Sequence, residues 1–443
     1  MLLPRWAQAS KVSRRFLLLA PAGIAFAAAR SESMDISNDA TSQGEPFRSL
    51  LDRYLSFGSK QSGGVGDNAC GEWVEGFLMA QGFATRRQAI QVPSFAEEAA
   101  FLKAGSFQMP ILPQFVMTPT EADGVRGPLV CFETNTDPTL PNVAGAIAAL
   151  VLPFARWSSI AQFGIATKVK DLFAKGAKAV VLVTTGPTGE AVFLNTPLSL
   201  SFRGPVAIAA PNLMRKVFEQ AGAAPEAFLA LNGRSATRGA FNVIAKRDVG
   251  GAKTIVISTP RSGWGPCAGE RGPGIAIFLE LARWLSTLRV KFNLVFVCTS
   301  GHEYEGFGGD TFLNELAPQP AETHLWLHLG AGIAARDWHE TGAQLRPLKS
   351  ADPQRFLVAT PDHMNVVSEC FEGLPGLDVP YSSGDGAQGE LKQILAAGHR
   401  SALGAFGAHR FHHTLLDDGR CVGPELIYPA FTAFQKFIAT AMG

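Results

Sequence analysis

The stretch Val290–Leu313, VKFNLVFVCTSGHEYEGFGGDTFL, decides the fold, because it predicts a buried strand that ends in a charged loop. The apolar run Leu294–Val297 has the β-branched and aromatic content of a strand covered on both faces. His302, Glu303 and Glu305 follow directly, and the glycines after them allow the backbone to turn tightly. Because open α/β sheets bind ligands at the carboxyl ends of their strands, this loop is a predicted functional site. A solvated loop that carries three charges is the alternative interpretation.

Composition limits the classes of function. The chain has 443 residues with 47% hydrophobic content, enough for a large core and two or three domains. It carries 39 basic and 38 acidic residues and no concentrated basic patch, so nucleic acid is not expected as a partner. All nine histidines lie between His302 and His413, which favours chemistry in the C-terminal half.

Residues 1–30 have the pattern of an export signal. Lys11, Arg14 and Arg15 precede the apolar run Phe16–Ala29, which is too short to span a bilayer comfortably. The segment Ser13–Leu18 resembles a twin-arginine signal, and a general secretory signal is the alternative. We therefore expect an exported protein, periplasmic or extracellular, without a stable membrane span after signal removal. In that oxidising environment the six cysteines leave room for one or two disulfides, which their spacing does not assign.

The remaining chain divides into a core and an insert. Residues 31–44 are polar and predict a flexible lead-in, and residues 45–124 predict helices and strands of the core without catalytic residues. Residues 125–238 alternate strand and helix patterns and contain no histidine, which favours an αβ subdomain that acts as a lid or gathers substrate. Residues 239–443 predict the second part of the core.

Within that second part the sequence predicts a parallel βαβ unit. A strand at Thr254–Ser258 leads through a loop to an amphipathic helix with Ile275 and Leu285 on one face, and the 290s strand follows. Glu270 lies beside the amino end of that helix, where the macrodipole stabilises a carboxylate.

Four short segments follow one another along this part of the chain: Asn242-Val243-Ile244, Gly272-Pro273-Gly274, Gly301-His302-Glu303 and His413-Thr414-Leu415-Leu416-Asp417. In this order they resemble the co-catalytic zinc aminopeptidase family, whose members include aminopeptidases, glutamate carboxypeptidases, glutaminyl cyclases and the transferrin receptor. The resemblance implies an α/β fold, with a three-layer α/β/α core around a mostly parallel sheet. Residues 125–238 resemble the protease-associated domain that many members carry in this position.

The family's chemistry uses two zinc ions about 4 Å apart, bridged by a carboxylate and a water. Alignment puts Pro260 and Gly330 at two of the metal-ligand positions, and neither side chain binds metal. Glu270, Glu303 and His413 keep ligand-type side chains at three others. The resemblance therefore implies a degraded site with at most one zinc ion on these three residues, and two zinc ions are not expected.

His302 stands where the family has its catalytic base. An imidazole takes a proton near neutral pH, so His302 is the candidate base, although a ligand role or a hydrogen bond to Glu305 are alternatives. Asp417 is expected to orient His413. His328 is a second candidate site residue, with a satisfied core histidine as the alternative.

Nucleophilic catalysis is a further alternative. Ser262, Ser300 and Cys267 lie in the loops at the predicted site, but none has the Gly-x-Ser-x-Gly setting of a nucleophile elbow.

Two functions follow from the sequence. The first is an exported peptidase-like hydrolase of a peptide or other amide bond, with at most one metal. The second is a non-catalytic binding protein, with a peptide or small amide as ligand, on an aminopeptidase scaffold that has lost its dizinc centre.

Overall fold

The computed structural model describes residues 37–134, 141–222, 224–342 and 344–443, and side chains from residue 44 onward. In these ranges the helices are α1 (Ser37–Ser56), α2 (Val65–Ala80), α3 (Ile165–Ala174), α4 (Pro211–Ala221), α5 (Ala268–Thr287), α6 (Phe307–Glu315), α7 (Met364–Cys370), α8 (Gly389–Ala396) and α9 (Pro424–Met442). The strands of the first half are β1 (Ala84–Ala104), β2 (Phe107–Pro110), β3 (Leu112–Pro113), β4 (Val125–Glu133), β5 (Ile147–Val151), β6 (Ala179–Val183), β7 (Val206–Ala209) and β8 (Glu226–Arg247). The strands of the second half are β9 (Thr254–Pro260), β10 (Asn293–Thr299), β11 (Thr323–Leu329), β12 (Arg336–Thr341), β13 (Gln344–Ala351), β14 (Arg355–Ala359), β15 (Tyr381–Ser382) and β16 (Ala402–Gly407).

Fourteen of these strands form one sheet, and its centre is the unit that the sequence predicts. The order is β15-β14-β16-β11-β9-β10-β8-β4-β5-β6-β7-β3, with β1 beside β8 and β2 beside β1. β9 and β10 are parallel, with Leu294 opposite Ile255, and α5 crosses between them. β11 and β16 continue the parallel arrangement. The predicted parallel βαβ unit is therefore confirmed.

Helices cover both faces of the core sheet. On one face Phe47 of α1, Phe278 of α5 and Phe434 of α9 share a buried cluster with the sheet. On the other face Phe312 of α6 and Leu391 of α8 pack against the sheet. Strands buried on both faces need continuous apolar sequence, which is the pattern of the 290s strand. The three-layer α/β/α fold predicted from the sequence is confirmed.

Two long strands join the core to the insert. β1 and β8 pair antiparallel over nearly their whole length, from Ala84 opposite Lys246 to Ala104 opposite Ala227. The sheet continues from the outer half of β8 into β4, so the insert shares backbone hydrogen bonds with the core. This pairing joins residues more than a hundred positions apart, and periodicity along the chain does not reveal it.

One buried cluster includes residues on both sides of the predicted boundary at residue 124. Leu102, Met109 and Met117 share this cluster with Leu129 and Ile147 of the predicted insert. The sequence prediction placed them in the N-terminal part of the core, because it ended that part at residue 124.

The predicted export signal at 1–30 lies outside the described residues. The predicted flexible lead-in differs from the structure, because α1 already begins at Ser37. None of the helices in the described ranges has the length and apolar content needed to cross a membrane. Cys70, Cys267, Cys298, Cys370 and Cys421 form no disulfide.

A buried charged network lies under the carboxyl edge of the sheet. Arg261, which follows β9, is completely buried, and its Nε lies 2.9 Å from Oδ1 of Asp67 in α2. Its guanidinium also donates to the carbonyl oxygens of Cys298 and Phe241, and Ser300 donates to Asp67. Burial raises the pKa of Asp67, while Arg261 and Ser300 oppose that rise. The network ties α2 to three neighbouring strands.

Arg261→Met is expected to destabilise the protein by about 3 kcal/mol or more, because it leaves a buried carboxylate unpaired. The measurement is the free energy of unfolding from denaturant titration at pH 7. The matched control is Arg215→Ala, which breaks the exposed pair with Glu219, and it is expected to cost only a small fraction of that amount. Equal losses in the two variants would contradict the structural role of Arg261.

Candidate active site

A cleft of about 780 Å³ opens where the carboxyl ends of the core strands meet the insert. Core residues His302, His328 and Glu390 line it from the sheet side. Ser158 and Asn195 line it from the insert. The predicted loop after the 290s strand therefore does lie in a cleft, at the edge where open α/β sheets bind ligands.

His302 is paired with a carboxylate that the sequence analysis did not assign. His302 lies in the single turn after β10, and its side chain is 15% exposed. Its Nδ1 lies 3.0 Å from Oε1 of Glu390, at the start of α8. Because the carboxylate only accepts, Nδ1 carries the proton and Nε2 is left as a base. Burial alone would raise the pKa of Glu390, but His302, His328 and Arg271 lower it, so this carboxylate is ionised.

Glu270, His412 and His413 form a second group, with candidate ligand atoms within 4.8 Å of one another. The two histidines line the cleft, and Glu270 is buried beside them. Nε2 of His413 lies 3.2 Å from Oε1 of Glu270. The imidazole rings of His412 and His413 stack with centroids 4.0 Å apart. His413 has a left-handed backbone conformation, with φ of 58°, which turns its ring towards α5.

The outer nitrogens of both histidines are held by the insert. Nδ1 of His413 donates to the carbonyl oxygen of Phe193 at 2.9 Å. Nε2 of His412 lies 3.2 Å from Oγ of Ser158. Metal-bound histidines commonly have such a partner on the nitrogen that faces away from the ion.

Two inner atoms of the group lack partners among the described residues. The contact of Nε2 of His413 with Oε1 of Glu270 is a hydrogen bond if the ring carries both protons, and it fits a shared cation if Nε2 has a lone pair. Nδ1 of His412 and Oε2 of Glu270 are buried without hydrogen-bond partners. Burial first, and then the neighbouring His413, lower the pKa of His412 well below its usual value, so it is neutral. Histidine nitrogens and a carboxylate oxygen are ligands that suit zinc, so this group fits one ion.

Arg271 is a positive charge beside this group that the sequence analysis missed. Its side chain is completely buried, it lines the cleft, and Nη2 lies 2.7 Å from Oε1 of Glu270. Burial alone would raise the pKa of Glu270, but Arg271, followed by His413 and His412, lowers it well below its usual value. The only sequence signal for Arg271 is its position directly after the candidate ligand Glu270.

Glu303 lies apart from Glu270 and His413, the residues with which the sequence analysis grouped it. Its carboxylate accepts hydrogen bonds from the backbone N–H and the hydroxyl of Ser62, and from Oγ of Ser262 at 2.7 Å. It is completely buried, and both of its carboxylate oxygens already have donors. The candidate metal group takes His412 in its place.

None of the three candidate nucleophiles is activated in the structure. Ser262 donates to Glu303, and Ser300 donates to Asp67. Burial raises the pKa of the Cys267 thiol to about 12, which leaves it protonated and unreactive.

Asp417 does not contact His413. Its carboxylate accepts from the backbone N–H groups of Gly269 and Glu270, at 2.6 and 3.0 Å, so it caps α5. This cap starts the helix at Ala268 and places Glu270 in its first turn.

Glu305 and His328 both line the cleft. Glu305 accepts a hydrogen bond from Oγ of Ser159 in the insert. His302 pairs with Glu390 and not with Glu305. Nδ1 of His328 lies 3.0 Å from Oγ of Ser258, whereas its Nε2 is buried without a partner among the described residues.

Comparison with solved structures identifies the class of fold. An aminopeptidase from Aneurinibacillus sp. strain AM-1 is 18% identical, with a TM-score of 0.63 over 91% of this chain and 94% of that chain. A zinc aminopeptidase from Bacillus subtilis is 16% identical, with a TM-score of 0.69 over 91% and 95%. A peptidase M28 precursor from Shewanella amazonensis is 15% identical, with a TM-score of 0.68 over 91% and 98%. The chain therefore has a zinc-aminopeptidase-like fold. No protein-family model and no curated protein matches the sequence.

His328→Asn is expected to make the protein less sensitive to acid. Burial lowers the pKa of His328 from 6.5 to about 4. Between these values the unfolded chain binds a proton that the folded chain does not, so stability falls as pH falls. The variant lacks this group, so its loss of unfolding free energy from pH 7 to pH 4 is expected to be smaller by up to about 3 kcal/mol.

Denaturant titrations at several pH values measure this difference. His339→Asn, in the exposed part of β12, is the matched control for the loss of a histidine. The same acid sensitivity in His328→Asn and the parent protein would show that His328 does not contribute.

Proposed function

We propose that the chain is an exported, peptidase-like hydrolase of a peptide or other amide bond, with His302 as the base and one zinc ion on Glu270, His412 and His413. The observation that carries the proposal is the cleft itself. It combines a histidine oriented by a carboxylate with a separate group of buried, unsatisfied ligand atoms.

The residues of the cleft support the steps of amide hydrolysis. Glu390 holds the proton on Nδ1 of His302, so Nε2 takes a proton from a water as the water attacks the carbonyl carbon. The imidazolium that forms is stabilised by the ionised Glu390. It then gives its proton to the nitrogen of the leaving group as the carbon–nitrogen bond breaks. Glu390 stays ionised throughout and acts by positioning His302.

Zinc on Glu270, His412 and His413 would lower the pKa of a bound water and polarise the carbonyl group. The zinc aminopeptidase from Bacillus subtilis shares the fold, which supports this choice of metal. The three residues would leave an open coordination position for water or substrate, as catalytic zinc sites do.

Three residues at positions of the dinuclear pattern favour a single ion at this site. Pro260 ends β9 without a ligand atom in its side chain. A β-carbon at Gly330 would lie 2.6 Å from the carbonyl oxygen of Ala405, so an aspartate does not fit there without a backbone shift. Glu303, a third position of the dinuclear pattern, has its carboxylate bound by Ser62 and Ser262.

Export and the division of the chain complete the proposal. Residues 1–30 would direct the chain to the periplasm or the extracellular space, and the insert would act as a protease-associated-like lid. The contacts of Ser158, Ser159 and Phe193 with the core site support such a role for the insert.

The second candidate function is binding of a peptide or small amide without turnover. The observation that favours it is the ion pair of Arg271 with Glu270, which already supplies a positive charge beside this carboxylate. A zinc measurement separates the two functions.

The purified protein is expected to bind about one zinc ion per chain and to lose it to a chelator. His412→Ala and Glu270→Gln are expected to weaken zinc binding by more than the roughly 10–100-fold that loss of an outer-sphere partner causes. Elemental analysis and competition with a zinc indicator measure both effects. Glu303→Gln is the matched control and is expected to keep the ion. Two ions per chain, or loss of zinc in a folded Glu303→Gln protein, would contradict the assigned ligands.

His302→Ala is expected to lower kcat by about 10²–10⁴-fold, because a positioned base contributes that much to a proton transfer. Glu390→Gln is expected to lower kcat less and to shift the pH profile, because it removes the charge that orients and stabilises His302. The assay is hydrolysis of a panel of aminoacyl and N-acyl-aminoacyl amides by the zinc-loaded protein. Gln388→Ala, at the exposed edge of the cleft, is the control. Unchanged turnover in folded His302→Ala would exclude His302 as the base.

A further inference from the structure

Arg271 presents hydrogen-bond donors to the cleft that neither the fold nor the candidate metal uses. Its Nε donates to the carbonyl oxygen of Ser262 at 3.0 Å, which fixes the guanidinium plane. Nη2 lies beside Glu270, and Nη1 is buried without a hydrogen-bond partner among the described residues. An arginine always carries its charge and cannot bind a metal ion, so zinc would not satisfy these donors.

His328 supplies a second donor of the same kind. Oγ of Ser258 accepts from Nε1 of Trp326 at 2.8 Å and lies 3.0 Å from Nδ1 of His328. In the tautomer in which the serine hydroxyl donates to Nδ1, the imidazole proton of His328 is on Nε2. That nitrogen is buried, belongs to a residue that lines the cleft, and has no partner within the described ranges.

The acidic side chains of the cleft already have partners. Glu390 pairs with His302, and Glu305 accepts from Ser159. Glu270 faces Arg271 and His413, and its second oxygen belongs to the candidate metal group. Apart from the proposed base His302, the cleft offers the unpartnered Nη1 of Arg271 and Nε2 of His328 outside the metal group. Donors there favour an anion over the ammonium group of a free amino terminus.

We propose that Arg271 and His328 bind the carboxylate of the amino acid on the leaving side of the scissile bond. A planar guanidinium with a free Nη1 suits a carboxylate, and a second donor fixes its orientation. Arg271 directly follows Glu270 in α5, so the carboxylate would bind within about one residue of the candidate metal group. The substrate class is an N-acyl amino acid or a peptide cleaved before its last residue. This assignment rests on the proposed function, whereas the anion site itself does not.

The test is isothermal titration of the chelator-treated full chain with N-acetyl-leucine and with N-acetyl-leucinamide. Chelation excludes direct binding of the carboxylate to zinc. The acid is expected to bind at least about 10-fold more tightly than the amide, as for hydrogen bonds to charged groups. N-acetyl-glutamic acid α-amide is the third ligand. If it alone binds tightly, the carboxylate comes from an acidic side chain, which overturns the assignment to the terminal carboxylate.

The variants identify the residues that bind the anion. Arg271→Gln is expected to abolish the preference for the acid, and His328→Asn to reduce it. Arg271→Lys keeps the charge but not the fork, so it is expected to keep only part of the preference. Lys392→Gln removes an exposed positive charge that also lines the cleft, and it is the matched control with an expected change of less than about twofold. Thermal unfolding of each variant checks that it is folded. If Arg271→Gln does not fold, Arg271→Lys and His328→Asn complete the test.

Equal binding of acid and amide, or an undiminished preference in the folded Arg271 and His328 variants, would overturn the proposed carboxylate site. Binding and turnover, measured separately, distinguish failure of the carboxylate-site proposal from failure of the hydrolase proposal. A preference for the acid without turnover in the zinc-loaded protein would support the carboxylate site and contradict the hydrolase. Turnover of neutral amides without any preference for the acid would support the hydrolase and contradict the carboxylate site. If the Arg271 variants lower kcat but bind the acid unchanged, Arg271 stabilises the transition state instead of binding the carboxylate.

Discussion

The carboxylate of Asp417 fixes the geometry of the cleft. It accepts the backbone N–H groups of Gly269 and Glu270, where the helix dipole of α5 favours a negative charge. On its other side it lies 3.2 Å from Nε2 of His409. Burial alone would lower the pKa of His409, but Asp417 raises it above its usual value. One side chain thus joins the first turn of α5 to the loop that carries His412 and His413.

Two kinds of buried polar group lie at the carboxyl edge of the sheet, and they have different roles. Glu303 and Arg261 have their charged atoms bound by serines, backbone carbonyls or Asp67, and they stabilise the loops. Arg271, His328 and Glu270 each keep a buried atom without a partner among the described residues. Because buried polar groups in native proteins are nearly always satisfied, unsatisfied atoms that lie together beside a cleft are candidates for ligand contacts.

The insert completes this edge rather than merely covering it. Phe193 and the histidine loop exchange two hydrogen bonds, one from the backbone N–H of Phe193 to His413 and one from the His413 ring back to Phe193. Trp264 of the core stacks on Phe193 and donates to Asn195. Since β1 and β8 run continuously through both parts, the insert and the core sheet hold a fixed register across the cleft.

The sequence by itself determined the α/β fold, the central parallel unit and the edge at which the cleft lies, because buried strands and amphipathic helices are local patterns of apolar side chains. It also predicted His302, Glu270 and His413 as residues of the functional site. Only the tertiary structure decided which of these side chains meet. Glu390 reaches His302 across 88 positions of the chain, and His413 reaches Glu270 across 143. Glu303 instead accepts a hydrogen bond from Ser62, 241 positions away in the chain. Such pairings depend on how strands and loops pack side by side, which no local pattern contains.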